Sequence, residues 1–384
     1  MDTFEVGIVG AGVHGASAAF HLASRGVRVV VFEKDVPAGG PTGRSSAICR
    51  AYYTNGFLAR AARDSIGMFE RWEELFGNDA GFRRTGLLYL HPPEDAGSVG
   101  ASVARLNELG IATDLLEPGE LAQQYPAFDL TGIAIGAWEP SAGHADPHAT
   151  TDGLFRKAVE LGAQARLGSI VTDIEPSVSG GGTIVTSDGA RTSCKRILIA
   201  AGPWTRRLSA CVGVDLPLTV ERHVVATFRW GAAEPVPAHG DLVGGYYFRP
   251  EGTDLYLVGP LHAAANVDPD DFDQSISSRE IEDLAALVIR RVPHLARSEV
   301  YGGWASLYDV SPYWQPVIGE IAPGIFVDAG TSGHGFKLAP ALGGHVADLV
   351  TGAEVDPGLA DFDPFRFERG VALDAGYRNA RILG

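Results

Sequence analysis

Val6-Gly7-Ile8-Val9-Gly10-Ala11-Gly12-Val13-His14-Gly15 opens the stretch that decides the fold, and its reading runs on to Glu33. Val6 to Val9 is a short apolar run, and the glycines after it are spaced GxGxxG. An Ala-rich amphipathic segment continues to Arg25, with Gly26 where a helix would end. A second apolar run, Val27 to Phe32, leads into Glu33. Strand, glycine turn, helix and strand in about 30 residues make one βαβ unit. Gly10 allows the tight turn, Gly12 lets a pyrophosphate approach the backbone, and Gly15 lets helix and strand pack closely. The first helical amides then face the anion with the positive end of the helix dipole. Glu33 ends the second strand where a carboxylate accepts from ribose hydroxyls and disfavours a 2′-phosphate. A lone GxGxxG is weak evidence; this context makes it a dinucleotide site.

FAD and NAD both use this unit. Three features favour FAD. The motif stands at the N-terminus, and Gly43-Arg44-Ser45-Ser46 follows with polar groups for a second phosphate. Near the other end, Ile325 to Ala329 reads as a strand. Gly330-Thr331-Ser332-Gly333-His334-Gly335 then turns into a final helix ending near Thr351. Amides of Gly333, His334, Gly335 and Phe336 at that helix start, with Lys337, suit the charge that reduction develops on a flavin pyrimidine.

The rest of the chain fits an α/β (α+β) protein, a Rossmann-like FAD-binding domain interleaved with a mixed or antiparallel substrate domain. Its 384 residues, 45% hydrophobic and 20% charged, are enough for two cores. Gly86 to Leu90 reads as a strand, and Ala101 to Leu109 and Pro118 to Gln124 as helices. Asp146-Pro147 reads as N-cap and N1 of a helix to about Leu161. Ile197 to Ala201 is a buried strand, and Gly180 to Gly182 a hairpin tip. From about Leu216 to Leu261 longer alternating runs suit an antiparallel sheet, and Ser277 to Val292 is an amphipathic helix. The expected division is 1–85, 145–215 and 300–364 for FAD, and 86–144 and 216–299 for substrate. After about Pro364 the pattern is irregular, compatible with a docking tail or a short helix.

A formal charge of −16 argues against nucleic acid and anionic membranes as partners. No apolar run reaches the roughly 20 residues that span a bilayer. The N-terminus lacks a signal peptide's basic region, and Cys49, Cys194 and Cys211 have neither disulfide nor metal spacing. No HExxH occurs. The expectation is a cytoplasmic, metal-free protein.

These segments together resemble the D-amino-acid-oxidase superfamily of flavoproteins, on its sarcosine oxidase and sarcosine dehydrogenase branch. The matches are Val6–Glu33, Gly43–Tyr53, Gly86–Leu90, Glu139–Pro147, Ile197–Trp204, Tyr246–Gly252, Gly303–Gly319 and Ala329–Pro340, in order along the chain. Ala329-Gly330-Thr331-Ser332-Gly333-His334-Gly335-Phe336-Lys337 is the most specific.

The resemblance implies that Arg50 and Lys337 clamp a substrate carboxylate over the flavin. An acidic protein that binds an acid needs such a pair, and Arg offers bidentate geometry. It implies an active-site role for Tyr247, whose other reading is core packing. It places His262 near the substrate, in an alignment open to a one-residue slip. His144 and His223 read as structural. Lys34, Val171, Ala201, Gly202, Trp204, Leu307 and Tyr308 are implied as further FAD contacts. Two departures matter. Relatives with covalent flavin use a cysteine where Ser306 stands, so non-covalent FAD is implied. The lysine that monomeric sarcosine oxidases use with oxygen has no counterpart in Leu255–Gly259. Oxidation of a small carboxylate-bearing amine is the implied activity, with oxygen, another acceptor or a partner subunit taking the electrons. A deaminating amino-acid oxidase, a biosynthetic desaturase and a non-catalytic flavin subunit are the alternatives.

Overall fold

The computed structural model describes residues 3–262, 264–371 and 373. Two eight-stranded sheets organise it. In the first, Thr3–Val9 lies between Val29–Phe32 and Arg191–Ile199, parallel to both. Gln164–Arg166 extends one side, and Ile325–Ala329 pairs parallel with the last third of Arg191–Ile199. The earlier part of that strand pairs instead with a hairpin, Val171–Pro176 and Gly182–Thr186, whose tip holds Gly180 and Gly181. The central strands are apolar on both faces because both are covered, as parallel sheets require. The helix Val13–Ser24 packs on Pro147–Glu160 and on Gly335–Thr351. Its buried residues include Ala16, Ala18, Ala19 and Ala23, small enough to let both neighbours approach.

The second sheet shows period-two patterning. On one face Val224, Ala226, Phe248 and Val258 are buried with Leu284 and Val288 of the helix Ser278–Arg291. That helix is fixed at its start by a reciprocal Ser277–Glu280 capping box. The alternate positions, Glu221, His223, Tyr247, Arg249, Ser306 and Tyr308, make the other face. Register confirms the sorting: Glu221 pairs with Tyr308, His223 with Ser306, and Tyr247 with Gly259.

The expected division needs one correction. Glu299–Val310, placed with the FAD portion from residue 300, pairs along its length with Thr219–Arg229 in the second sheet. Its alternation continues that of its neighbour, and the next strand, Val317–Ala322, is the one that returns to the first sheet. Pro364–Arg366 forms a single 3-10 turn, with Arg366 buried and donating to the Gln315 carbonyl at 3.0 Å. The tail expected beyond it lies largely outside the described residues. Among the described residues no helix is long and apolar enough to cross a membrane.

Candidate active site

A cavity of ≈ 930 Å³ runs between the two sheets. At one end, the turn after Thr3–Val9 is built by close approach. A Cβ on Gly15 would stand 2.0 Å from the Gly10 carbonyl oxygen, and one on Gly10, at φ +106°, 2.4 Å from that of Ala200. Neither tolerates a side chain. Gly12 brings no side chain to cap the helix; the Val13 amide donates to Thr42 Oγ1 at 3.2 Å. Glu33 accepts from the Ala11 amide at 2.7 Å and from the Asp35 amide at 3.0 Å, and it lines the cavity. These residues fit a dinucleotide: an uncapped helix start for the pyrophosphate and an oriented carboxylate for a ribose.

Of the expected FAD contacts, Gly10, Gly12, Val13, His14, Glu33 and Lys34 line the cavity. So do Arg44, Ser45, Ser46, Val171, Ala201, Gly202 and Trp204, and also Leu307, Tyr308, Gly333, Gly335 and Phe336. Ala11 and Gly15 stand behind the wall as packing positions, as does the buried His334. The Lys34 ammonium sits 3.3 Å from the centre of the Trp204 ring, and the Trp204 indole donates to Asp270 at 2.7 Å. Asp270 also pairs with Arg207, so the segment around it is strapped across the mouth of the cleft.

At the opposite end the chemistry passes to side chains. Tyr247 lines the cavity with Ser46 and Tyr308, and burial raises its pKa. Its ring lies flat over Gly259, where a Cβ would be 2.3 Å from the hydroxyl. Arg50 is 3% exposed, with its guanidinium 4.2 Å from the Tyr53 ring centre. It donates to the Tyr52 carbonyl. Lys337, in the first turn of Gly335–Thr351, is 7% exposed. Burial, and then the Arg50 charge beside it, push its ammonium pKa well below the usual lysine range. The two expected clamp residues are thus close enough for the Arg50 charge to act on Lys337. They stand just behind the cavity lining, since Phe336 lines it and Lys337 does not.

His262 is not brought to this pocket. The site-facing residues of Leu255–Pro260 are Leu257 and Gly259, by their register with Arg249 and Tyr247. The strand ends before His262, which is exposed and lies against Gly245 outside the cavity. His144 is buried 3.3 Å from an Arg249 nitrogen, and burial with that charge pushes its pKa down to about 3. His223, structural on sequence grounds, lines the cavity, stacked on Tyr308 at 3.9 Å and bonded to Glu221 at 3.0 Å.

Glu139 is the main residue not anticipated as a site member. Fully buried at the end of Ile135–Glu139, it accepts from the amides of Ala51 at 2.7 Å and Tyr52 at 3.0 Å. It therefore fixes the backbone next to Arg50 and faces its charge. Burial raises its pKa to about 7, against those bonds and Arg50. Its signal in the sequence was an acid closing an otherwise apolar strand.

Comparison with known proteins gives the family and the fold. The family profile described as FAD dependent oxidoreductase matches residues 5–349. Mitochondrial dimethylglycine dehydrogenase of Rattus norvegicus is 27% identical over 95% of this chain, which spans 45% of that protein's length. Glycine oxidase of Geobacillus kaustophilus is 27% identical, with 94% of this chain and 96% of that protein covered. Its crystal structure superposes with a TM-score of 0.81 over 95% of this chain and 99% of that one, at 26% identity. L-proline dehydrogenase from P. horikoshii shares the fold, at TM-score 0.87 and 24% identity, over 97% of this chain and 100% of that one.

Proposed function

The chain belongs to the FAD-dependent oxidoreductase family, and from that premise we propose that it oxidises the C–N bond of a small carboxylate-bearing amine to an imine. The favoured substrates are N-methyl or cyclic secondary amino acids, and oxygen or another acceptor would take the electrons. The observation that carries the proposal is the burial of Arg50 and Lys337 close enough for the Arg50 charge to act on the lysine.

Arg50 offers a planar fork to a carboxylate, and Lys337 a single donor from the other side. An arriving carboxylate restores the charge on Lys337 that burial disfavours. Glu139 holds the Arg50 backbone in register, so the amine's α-carbon is delivered in one orientation and the reaction is effectively unimolecular. The Tyr247 hydroxyl, on the cavity wall, would help to hold the amine nitrogen in its neutral form. FAD, when bound, would supply the two-electron acceptor for the hydride of the substrate's Cα–H bond, whose loss together with the N–H proton turns C–N into C=N. Ser306 offers no thiol for a thioether, so FAD would be held without a covalent link by this route. Names among the relatives support the substrate class: dimethylglycine dehydrogenase, sarcosine oxidase, glycine oxidase and 4-methylaminobutanoate oxidase. A sarcosine oxidase subunit beta among them supports a partner subunit as a further possibility for electron disposal. The cofactor portion of the proposed division keeps residues 1–85, 145–215 and 311–364.

The test is the visible spectrum under anaerobic conditions while sarcosine, dimethylglycine, proline and glycine are added in turn. Bleaching by a secondary amino acid, with flavin released by acid precipitation, is expected. A flavin that stays oxidised with all four would sink the proposal. Re-oxidation by air within seconds then marks an oxidase, and slow re-oxidation a dehydrogenase.

A further inference from the structure

His14 occupies the variable position of the GxGxxG turn, between two helix starts that approach the cavity from different parts of the chain. Its Nδ1 lies 2.9 Å from Asp328 Oδ2, and its Nε2 lies 3.1 Å from the Gly335 carbonyl oxygen. Both partners are acceptors, so both ring nitrogens donate and the ring is an imidazolium. The surroundings agree: burial pulls the His14 pKa down, but Asp328 and then Asp309 raise it on balance. The ring therefore pins Asp328 in one orientation.

Asp328 is 2% exposed and lines the cavity. One carboxylate oxygen is taken by His14, while Oδ1 has no hydrogen-bond partner among the described residues. A buried carboxylate oxygen is costly without a donor, and because Asp328 lines the cavity a ligand there can supply one. The neighbouring acid, Asp309, is already engaged, accepting from the Gly330 amide at 2.6 Å and the Thr331 hydroxyl at 3.2 Å. A phosphate is excluded as the partner of Asp328, because it brings negative charge and no donor. A hydroxyl fits. Position selects which one. The Val13 helix start suits a diphosphate and the Gly335 helix start a flavin pyrimidine, so the cofactor segment between them is the ribityl chain.

We propose that Asp328, held by the His14 imidazolium, accepts a hydrogen bond from one ribityl hydroxyl of FAD. The assignment rests on the FAD reading and adds to it a side chain that identifies the polyol. The GxGxxG and C-terminal glycine turns then enclose FAD through a contact that a cofactor without a ribityl chain does not make.

The experiment strips the flavin and titrates the apoprotein with FAD and with three analogues, each lacking one secondary ribityl hydroxyl, following flavin fluorescence. In the wild type one analogue should bind roughly 10- to 100-fold more weakly than FAD, the size of one hydrogen bond to a charged group. In Asp328→Ala that penalty should fall to within about threefold of FAD, because the acceptor is gone. Asp328→Asn, which keeps shape without charge, should give an intermediate penalty and serves if the alanine variant does not fold. Equal binding of all three analogues to the wild type would overturn the proposal, as would the same penalty in both variants. Failure of the wild type to bind FAD itself would instead overturn the cofactor reading, and this assignment with it.

Discussion

The two ends of the cavity are made from different materials. The pyrophosphate end is built by backbone: glycines whose missing side chains let strands and helices close to van der Waals limits, with amides left to a ligand. The proposed substrate end relies on buried side chains drawn from distant segments, Tyr247 on the lining and Arg50, Tyr53, Glu139 and Lys337 behind it. Backbone geometry is decided by which residues are absent, so it tolerates nothing larger than hydrogen at the key places. Side-chain geometry is decided by mutual support, so single changes there should degrade the chemistry while leaving the cofactor in place.

That contrast breaks most readily at Gly15. Gly15→Val should abolish FAD retention, since even the first carbon of a side chain would meet the Gly10 carbonyl at 2.0 Å. A colourless purified protein with no fluorescence quenching of added FAD checks this; a yellow one would show that the turn is not built as described. Next in size, Arg50→Ala should keep the flavin spectrum yet lower kcat/KM for a carboxylate substrate roughly 10²- to 10³-fold, through lost charge-assisted hydrogen bonds. Loss of flavin along with activity would erase the distinction between the two ends.

The smallest effect belongs to Glu139. The fold keeps its proton up to about pH 7 against an ordinary 4.5, so this group's contribution is fully present below pH 4.5 and is lost as pH rises through 7. Glu139→Gln does not titrate, and its melting temperature relative to wild type should climb between pH 5 and pH 8. Because an amide cannot accept from both Ala51 and Tyr52, KM should also rise several-fold, roughly what one lost hydrogen bond gives, with kcat less affected. A flat difference between the two melting profiles would assign Glu139 no buried titration.

The same contrast explains what the sequence discloses. The nucleotide half was legible because its signals are local: Gly10, Gly12 and Gly15 lie within one turn, and Gly330 to Lys337 within another. Arg50 and Lys337 emerged from resemblance, and the structure brings them together. Tyr247 was legible, but Arg249, two residues on and facing the same way, needed the strand's register to be known. His223 was read as structural because nothing nearby marks which face of its strand meets the cavity; pairing with Ser306 settles it. His262 was misplaced for the complementary reason: the strand's end, which sequence fixes only to within a residue or two, decides whether the side chain turns inward. Glu139 and Asp328 act on segments far away in the chain, and no local pattern reports that.

The His14 ring touches Asp328 and Gly335, more than three hundred residues downstream. The opening βαβ unit therefore waits for residues more than three hundred positions downstream before its nucleotide site has both walls. During synthesis the opening βαβ unit is a half-site with an exposed apolar flank, and FAD has no closed cleft to enter until the strand Ile325–Ala329 is in place. Loading of the cofactor thus waits for that strand, and a chain interrupted anywhere before it is a flavoprotein in sequence only.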